Sequence, residues 1–157
     1  MYPALESRDD LLKMLDEMAQ NRRDILAACA ALTPAQLADA VIPGTWSVLK
    51  NLAHLAWAEE WMLAWIGARP DVLPPEKRPP DPPEELAALR VALDEAHAAA
   101  IAFLKGHPEA VLKEPCRYGR GAAPQTVGGV LFHLVEHEIH HRAFVRWKLA
   151  RLLGKSG

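Results

Sequence analysis

Cysteine is scarce in this chain: there are two in 157 residues, Cys29 in a helical stretch and Cys116 in a connector, with no C-x-x-C pair. That usage offers no disulfide framework and fits a reducing compartment. Charge of one sign is missing too. A net charge of -2 with both signs scattered gives no field for nucleic acid or an anionic membrane. The one basic run (Arg142, Arg146, Lys148, Arg151, Lys155) falls at helical spacing and reads as a solvated face with cations suited to a helix C-terminus. It falls short of the strongly basic domain that a nucleic-acid partner calls for. No stretch approaches a membrane span, and the N-terminus lacks a basic segment followed by a long apolar run. A soluble cytoplasmic protein is expected. Strand-like alternation and internal repeats are absent as well, which leaves helices.

What is present is apolar and periodic. Half the residues are hydrophobic, enough for one domain over 1–157 that buries roughly two thirds of its surface. Ser7, then Leu11, Met14, Leu15, Met18, Ile25, Cys29 and Leu32 at 3.6 spacing, predict a first helix over about 8–31. Arg22 interrupts that stripe and reads as an arginine snorkelling from its edge. Thr33-Pro34-Ala35-Gln36 opens a further turn or two before Ile42-Pro43-Gly44. The second long helix runs over about 47–66 with Ser47 as its cap. It is apolar nearly all round, so it is covered on both sides, the second cover being suited to another subunit. A proline-rich connector, 67–83, precedes a third helix over about 84–105, capped by Asp81. Connector 107–125 leads to a fourth, about 127–153, capped by Thr126. Four long amphipathic helices predict an all-α four-helix bundle.

Four of the seven histidines fall within nine residues of the last helix: His133, His137, His140 and His141. At about 100° per residue, His137 and His141 lie within ~40° of each other, on the side of Val130, Leu134, Phe144, Val145 and Leu152. The pair therefore points toward the core, where neutral imidazoles need partners that a metal ion supplies. His133 and His140 sit at the edge of that face and suit supporting or solvated roles. On the second helix His54 shares a face with Trp57, Trp61 and Trp65, a stripe suited to core or dimer packing. Running helices 2 and 4 parallel, as in an up-and-down bundle, places His54 at ~10 Å and His137 and His141 at ~15–21 Å from one end. A tilt or stagger lets these depths meet. The spacing is compatible with a three-histidine site and does not require it. His97 is the main rival ligand, and His107 reads as loop surface. The same arrangement puts connectors 32–46 and 107–125 around any substrate pocket. Cys116 reads as a plain loop cysteine, and Glu59, Glu60, Glu136 and Glu138, mostly off the histidine face, as solvated groups.

Trp46-Ser47…His54-Leu55 at a helix start, His137-x-x-x-His141-Arg142 late in the chain, and Thr33-Pro34-x-Gln36-Leu37 between the first two helices together resemble the DinB/YfiT-like family of metal-dependent enzymes. The resemblance covers about 7–153. It implies a mirror variant of the up-and-down four-helix bundle, usually a homodimer, with a divalent metal, commonly zinc or nickel, on three histidines. By position these match His54, His137 and His141. The family includes thiol transferases that use low-molecular-weight thiols such as bacillithiol or mycothiol, and a mycothiol-dependent isomerase. No residue here matches a feature diagnostic of one thiol.

Three neutral imidazoles on one ion leave positions open to water or substrate, the pattern of a catalytic site. A metal-dependent thiol transferase or hydrolase acting on a small molecule is the leading expectation. Its rivals are a non-catalytic metal-binding or sensing bundle dimer, and a plain dimer with packed-in histidines. The general acid or base is not readable from the sequence.

Overall fold

The computed structural model describes residues 7–72, 84–117 and 125–154. Each long helix begins where a side chain can satisfy an otherwise orphaned amide. α1 (Arg8–Cys29) starts after Ser7, whose Oγ accepts the Asp10 N–H at 3.2 Å. α2 (Pro34–Ala38) is a single short turn held by a reciprocal box between Thr33 and Gln36. Ser47 caps α3 (Val48–Trp65) by accepting the Lys50 N–H at 3.0 Å. α4 (Leu86–Gly106) begins at Leu86 with no side-chain cap at Glu85; the expected cap, Asp81, lies outside the described residues. α5 (Val127–Leu152) starts at Thr126, whose Oγ1 accepts the Gly129 N–H at 3.1 Å. One feature was not expected. β1 (Pro115–Cys116) and β2 (Gln125–Thr126) form a two-residue antiparallel ladder that leads the chain into α5.

The four long helices make the expected bundle, with α1 and α3 each packed on both α4 and α5. Their directions differ from the expected ones. One apolar cluster joins the start of α1 (Leu11, Leu15, Met18) to the ends of α3 and α4 (Met62, Leu63, Phe103, Leu104) and the start of α5 (Val127, Val130, Leu131, Leu134). A second joins the end of α1 (Ile25, Cys29) to the starts of α3 and α4 (Val48, Leu52, Leu89, Leu93) and the end of α5 (Val145, Leu149). The helices thus run up, down, down, up, and α3 is antiparallel to α5, not parallel to it. Lys50 and Glu84, 3.5 Å apart, mark the starts of α3 and α4 at the same end. A connector permits this when it can return the length of a helix. An extended chain gains more than 3 Å per residue against 1.5 Å along a helix, and the stretch between α3 and α4 is long enough.

Between the two apolar clusters the core carries charge. Arg22 of α1 is 6% exposed, Glu59 of α3 2% and Glu138 of α5 1%. Arg22 Nε and Nη2 donate to the two oxygens of Glu138 at 3.2 and 2.9 Å, and Nη2 also meets Glu59 Oε2. Arg22 Nη1 reaches the Leu93 carbonyl of α4 at 3.5 Å. One guanidinium therefore touches all three other helices. These are corrections to the sequence reading. Arg22 does not snorkel, and Glu59 and Glu138 are off the histidine face because they face the core instead of solvent. A buried charge persists only when paired and hydrogen-bonded. Burial opposes the Arg22 charge, yet the two carboxylates raise its pKa above the ordinary value. Burial pushes the Glu59 carboxyl upward, against the pull of Arg22 and with the help of Glu138.

Candidate functional site

The antiparallel crossing of α3 and α5 brings the first third of one helix against the middle of the other. His54 Nε2 and His137 Nε2 are 3.1 Å apart. The ring centroids of His54 and His141 are 4.7 Å apart, and those of His137 and His141 4.6 Å. One nitrogen from each of the three falls within 4.8 Å of the others. All three rings are partly buried, so the cup lies at the lip of the core and not in its centre. That explains Phe144, expected in the core and found 62% exposed: the histidine face is where α5 leaves the core for a cleft. Burial first, then the neighbouring His141 and His54, push the pKa of His137 down to about 3. His141 is also lowered, chiefly by burial. Both rings thus keep a lone pair for an electrophile at neutral pH. The donor set suits a divalent ion such as zinc, with fewer protein ligands than a sealed structural site employs.

Asn51, one turn before His54, fixes how His141 is presented. Its Nδ2 donates to the Ser47 carbonyl at 2.8 Å, which turns Oδ1 toward His141 Nδ1 at 3.1 Å. The bond places the imidazole proton on Nδ1 and leaves Nε2 as the acceptor or ligand atom. Asn51 is not among the expected site residues, although an asparagine with Leu49, Leu52 and Ala53 around it in a helical stretch is a signal: it is a poor helix former and, once buried, needs a partner. Trp46, which opens the Trp46-Ser47…His54-Leu55 motif but is not among the expected site residues, stacks on His141 with centroids 6.0 Å apart and planes at 16° and leans on His54 at 5.0 Å.

The remaining sequence candidates separate clearly. His133 is partly buried 6.0 Å from His137 and pairs with Glu136 at 3.4 Å. His140 is exposed on the outer side of α5. His97 is half-buried on α4, lowered in pKa by burial and then by Arg22, and is not in the cup. His107 is exposed just past the end of α4, its ring tilted against Phe103 with centroids 4.3 Å apart. Cys116 belongs to β1 at the opposite end of the bundle, and burial raises its thiol pKa. Trp57 and Trp61 stack at 5.5 Å, and Trp65 meets Trp61 edge-on at 6.1 Å; all three are half-buried.

A cleft of about 610 Å³ opens beside the cup, lined by Trp46, Asn51 and His141 and continuing along Ile42, Thr45, Phe144, Trp147 and Lys148. Connector 32–46 therefore supplies the expected rim. Residues 107–117 do not, because they sit with the start of α1 and α5 at the far end; this follows from the reversal of α3 relative to α5. Lys148 corrects another expectation. It is 3% exposed, roofed by the loop before α3, and donates to the Ala40 carbonyl and to Thr45 Oγ1. Burial draws its ammonium below the ordinary pKa. In the same loop Val41 holds φ at +66°, a left-handed conformation that is strained for a β-branched residue, with its N–H on Asp39 Oδ1 at 2.8 Å. No helix among the described residues is long and apolar enough to cross a membrane.

Among known proteins, the sequence profile of the DinB superfamily matches residues 17–145. Solved structures share the fold, among them the following three. YfiT from Bacillus subtilis, described as a probable metal-dependent hydrolase with an unusual four-helix bundle topology, aligns with a TM-score of 0.68 at 20% identity, over 98% of this chain and 91% of its own. A DinB-like protein from Bacillus cereus ATCC 10987 gives 0.68 at 19% identity, over 98% and 95%. TT2238, described as a four-helix bundle protein, gives 0.63 at 20% identity, over 90% and 99%. No curated protein sequence matches.

Proposed function

We propose, from the premise that this chain belongs to the DinB superfamily, that it is a metal-dependent enzyme acting on a small molecule. His54, His137 and His141 would hold a divalent ion, zinc or nickel, and the reaction would be transfer of a low-molecular-weight thiol. The observation that carries this reading is the three-nitrogen cup within 4.8 Å, open to an apolar cleft. When bound, the ion would supply Lewis acidity that lowers the pKa of a thiol or water in that cleft. The chain's own residues do the rest. Burial keeps His137 neutral, Asn51 sets the tautomer of His141, and Trp46 covers the rings. The thiol comes from a second small molecule, since Cys116 is at the other end of the bundle. A homodimer is part of this reading: the tryptophan stripe of α3 is only half covered within one chain.

Elemental analysis of protein purified without a histidine tag comes first, followed by assay with bacillithiol, mycothiol or glutathione and an epoxide. Activity should disappear on chelation and return with zinc or nickel. Full activity in metal-free protein would overturn the proposal. Hydrolysis is the second reading, supported by the description of YfiT; turnover of esters or amides without any thiol would establish it. Stoichiometric metal with no turnover on either panel would instead mark a binding or sensing protein.

A further inference from the structure

We infer that the cleft takes a substrate with an apolar, ring-bearing body and a terminal carboxylate, the carboxylate seated on Lys148. The inference rests on the reading of the histidine cup as the reactive centre. Lys148 is covered to 3% exposure, and no carboxylate among the described residues lies within ion-pair distance of it; Asp39 in the roofing loop acts on its charge only from beyond that distance. Its partners are two neutral oxygens, Ala40 O and Thr45 Oγ1, and the Trp147 ring at 5.9 Å. A buried cation normally finds an anion, and this one has a third N–H donor that neither oxygen uses. Lys148 is one of the residues that line the cleft, and an anion seated there would meet the ammonium where the 39–45 loop roofs it.

The walls define the rest of the molecule. Ile42, Trp46, Phe144 and Trp147 are 45, 46, 62 and 40% exposed, and all four line this one cleft. Large apolar side chains gathered around a few convergent polar groups are the usual make-up of a small-molecule site. His141 and Lys148 are seven residues apart on α5, two turns or roughly 10 Å along its axis. A ligand with its reacting group at His141 and its carboxylate at Lys148 spans that distance, with its body against Trp46 and Phe144. A single lysine with one donor left matches a singly charged carboxylate better than a phosphate, which calls for more donors.

The test titrates the full chain, both zinc-loaded and chelated, with 3-phenylpropionate and its neutral counterpart 3-phenylpropanamide, following tryptophan fluorescence. In both preparations the acid should bind at least about tenfold more tightly, the worth of one charge-assisted bond. Lys148→Met should remove that preference, and Lys148→Arg should keep it. Phe144→Ala should weaken acid and amide alike. A preference that survives in Lys148→Met but vanishes on chelation would assign the carboxylate to the ion and overturn the inference. So would equal binding of acid and amide, absence of binding by either, or loss of the preference in Lys148→Arg. Because the chelated protein is tested beside the loaded one, failure at Lys148 is distinguishable from failure to bind metal.

Discussion

Asn51 Oδ1 stands 3.1 Å from His141 Nδ1, and the asparagine is oriented by its own bond to the backbone of the turn that starts α3. A capping turn thus dictates which nitrogen of a histidine on another helix is available. If His141 is a ligand, Asn51→Ala should weaken zinc affinity by about 10–100-fold, the usual effect of losing an outer partner of a metal-bound imidazole. Asn51→Asp keeps an acceptor and should retain affinity at least equal to the wild type. Competition against a chromogenic chelator measures both. Unchanged affinity in Asn51→Ala would count against the assigned tautomer.

The cup separates histidines that the sequence leaves crowded together. His54→Ala, His137→Ala and His141→Ala should each abolish stoichiometric zinc after dialysis, as measured by elemental analysis of tag-free protein. His140→Ala and His107→Ala should leave it at the wild-type level, because both rings are exposed away from the cup. His133 is closer, 6.0 Å from His137 between centroids, and its loss should also leave the stoichiometry intact. Equal loss in His140→Ala would replace the cup with a diffuse histidine cluster.

How much was legible follows from what a helical wheel contains. It fixes angles within one helix, so the pairing of His137 with His141 and the bundle itself could be read directly, as could the caps at Ser7, Thr33, Ser47 and Thr126. It does not say which neighbour an angle faces. Glu59 and Glu138 were correctly placed off the histidine face, but that side is the core, where Arg22 waits. Lys148 looked like part of a basic solvated face because its roof, the loop at 39–45, is remote in sequence. The direction of α3 against α5 was missed for a related reason. A connector constrains its two ends only by its reach, and the one between α3 and α4 has reach enough for either direction. Helix directions decided which connector borders the cleft.

The buried charge layer yields a stability ranking. Arg22→Met leaves Glu59 and Glu138 in the core without their cation and should cost roughly 3–5 kcal/mol in urea unfolding. Glu138 accepts two bonds from Arg22, whereas the Glu59 carboxyl is pushed toward its protonated form by burial. Glu59→Gln should therefore be tolerated within about 1 kcal/mol, and Glu138→Gln should cost about 2–3 kcal/mol. Replacing all three by apolar residues of similar volume should recover most of the Arg22→Met loss. The reverse ranking of the two glutamine variants would show that Glu59 is the ionised partner.

Acid should destabilise the metal-free protein earlier than its carboxylates alone predict. His137 has a folded-state pKa of about 3 against an ordinary value near 6.5. Between those values the unfolded chain carries a proton at this position and the folded chain does not. The unfolded state then binds more protons, so stability rises with pH across that window and falls as pH drops below about 6.5. One such group contributes a slope of at most about 1.4 kcal/mol per pH unit. His141 and His97 are shifted in the same direction and steepen it. Urea midpoints of chelated protein from pH 7.5 to 5 should fall accordingly, and His137→Ala should flatten the decline by about one proton. An identical slope in wild type and His137→Ala would show that this ring is not held neutral by the fold.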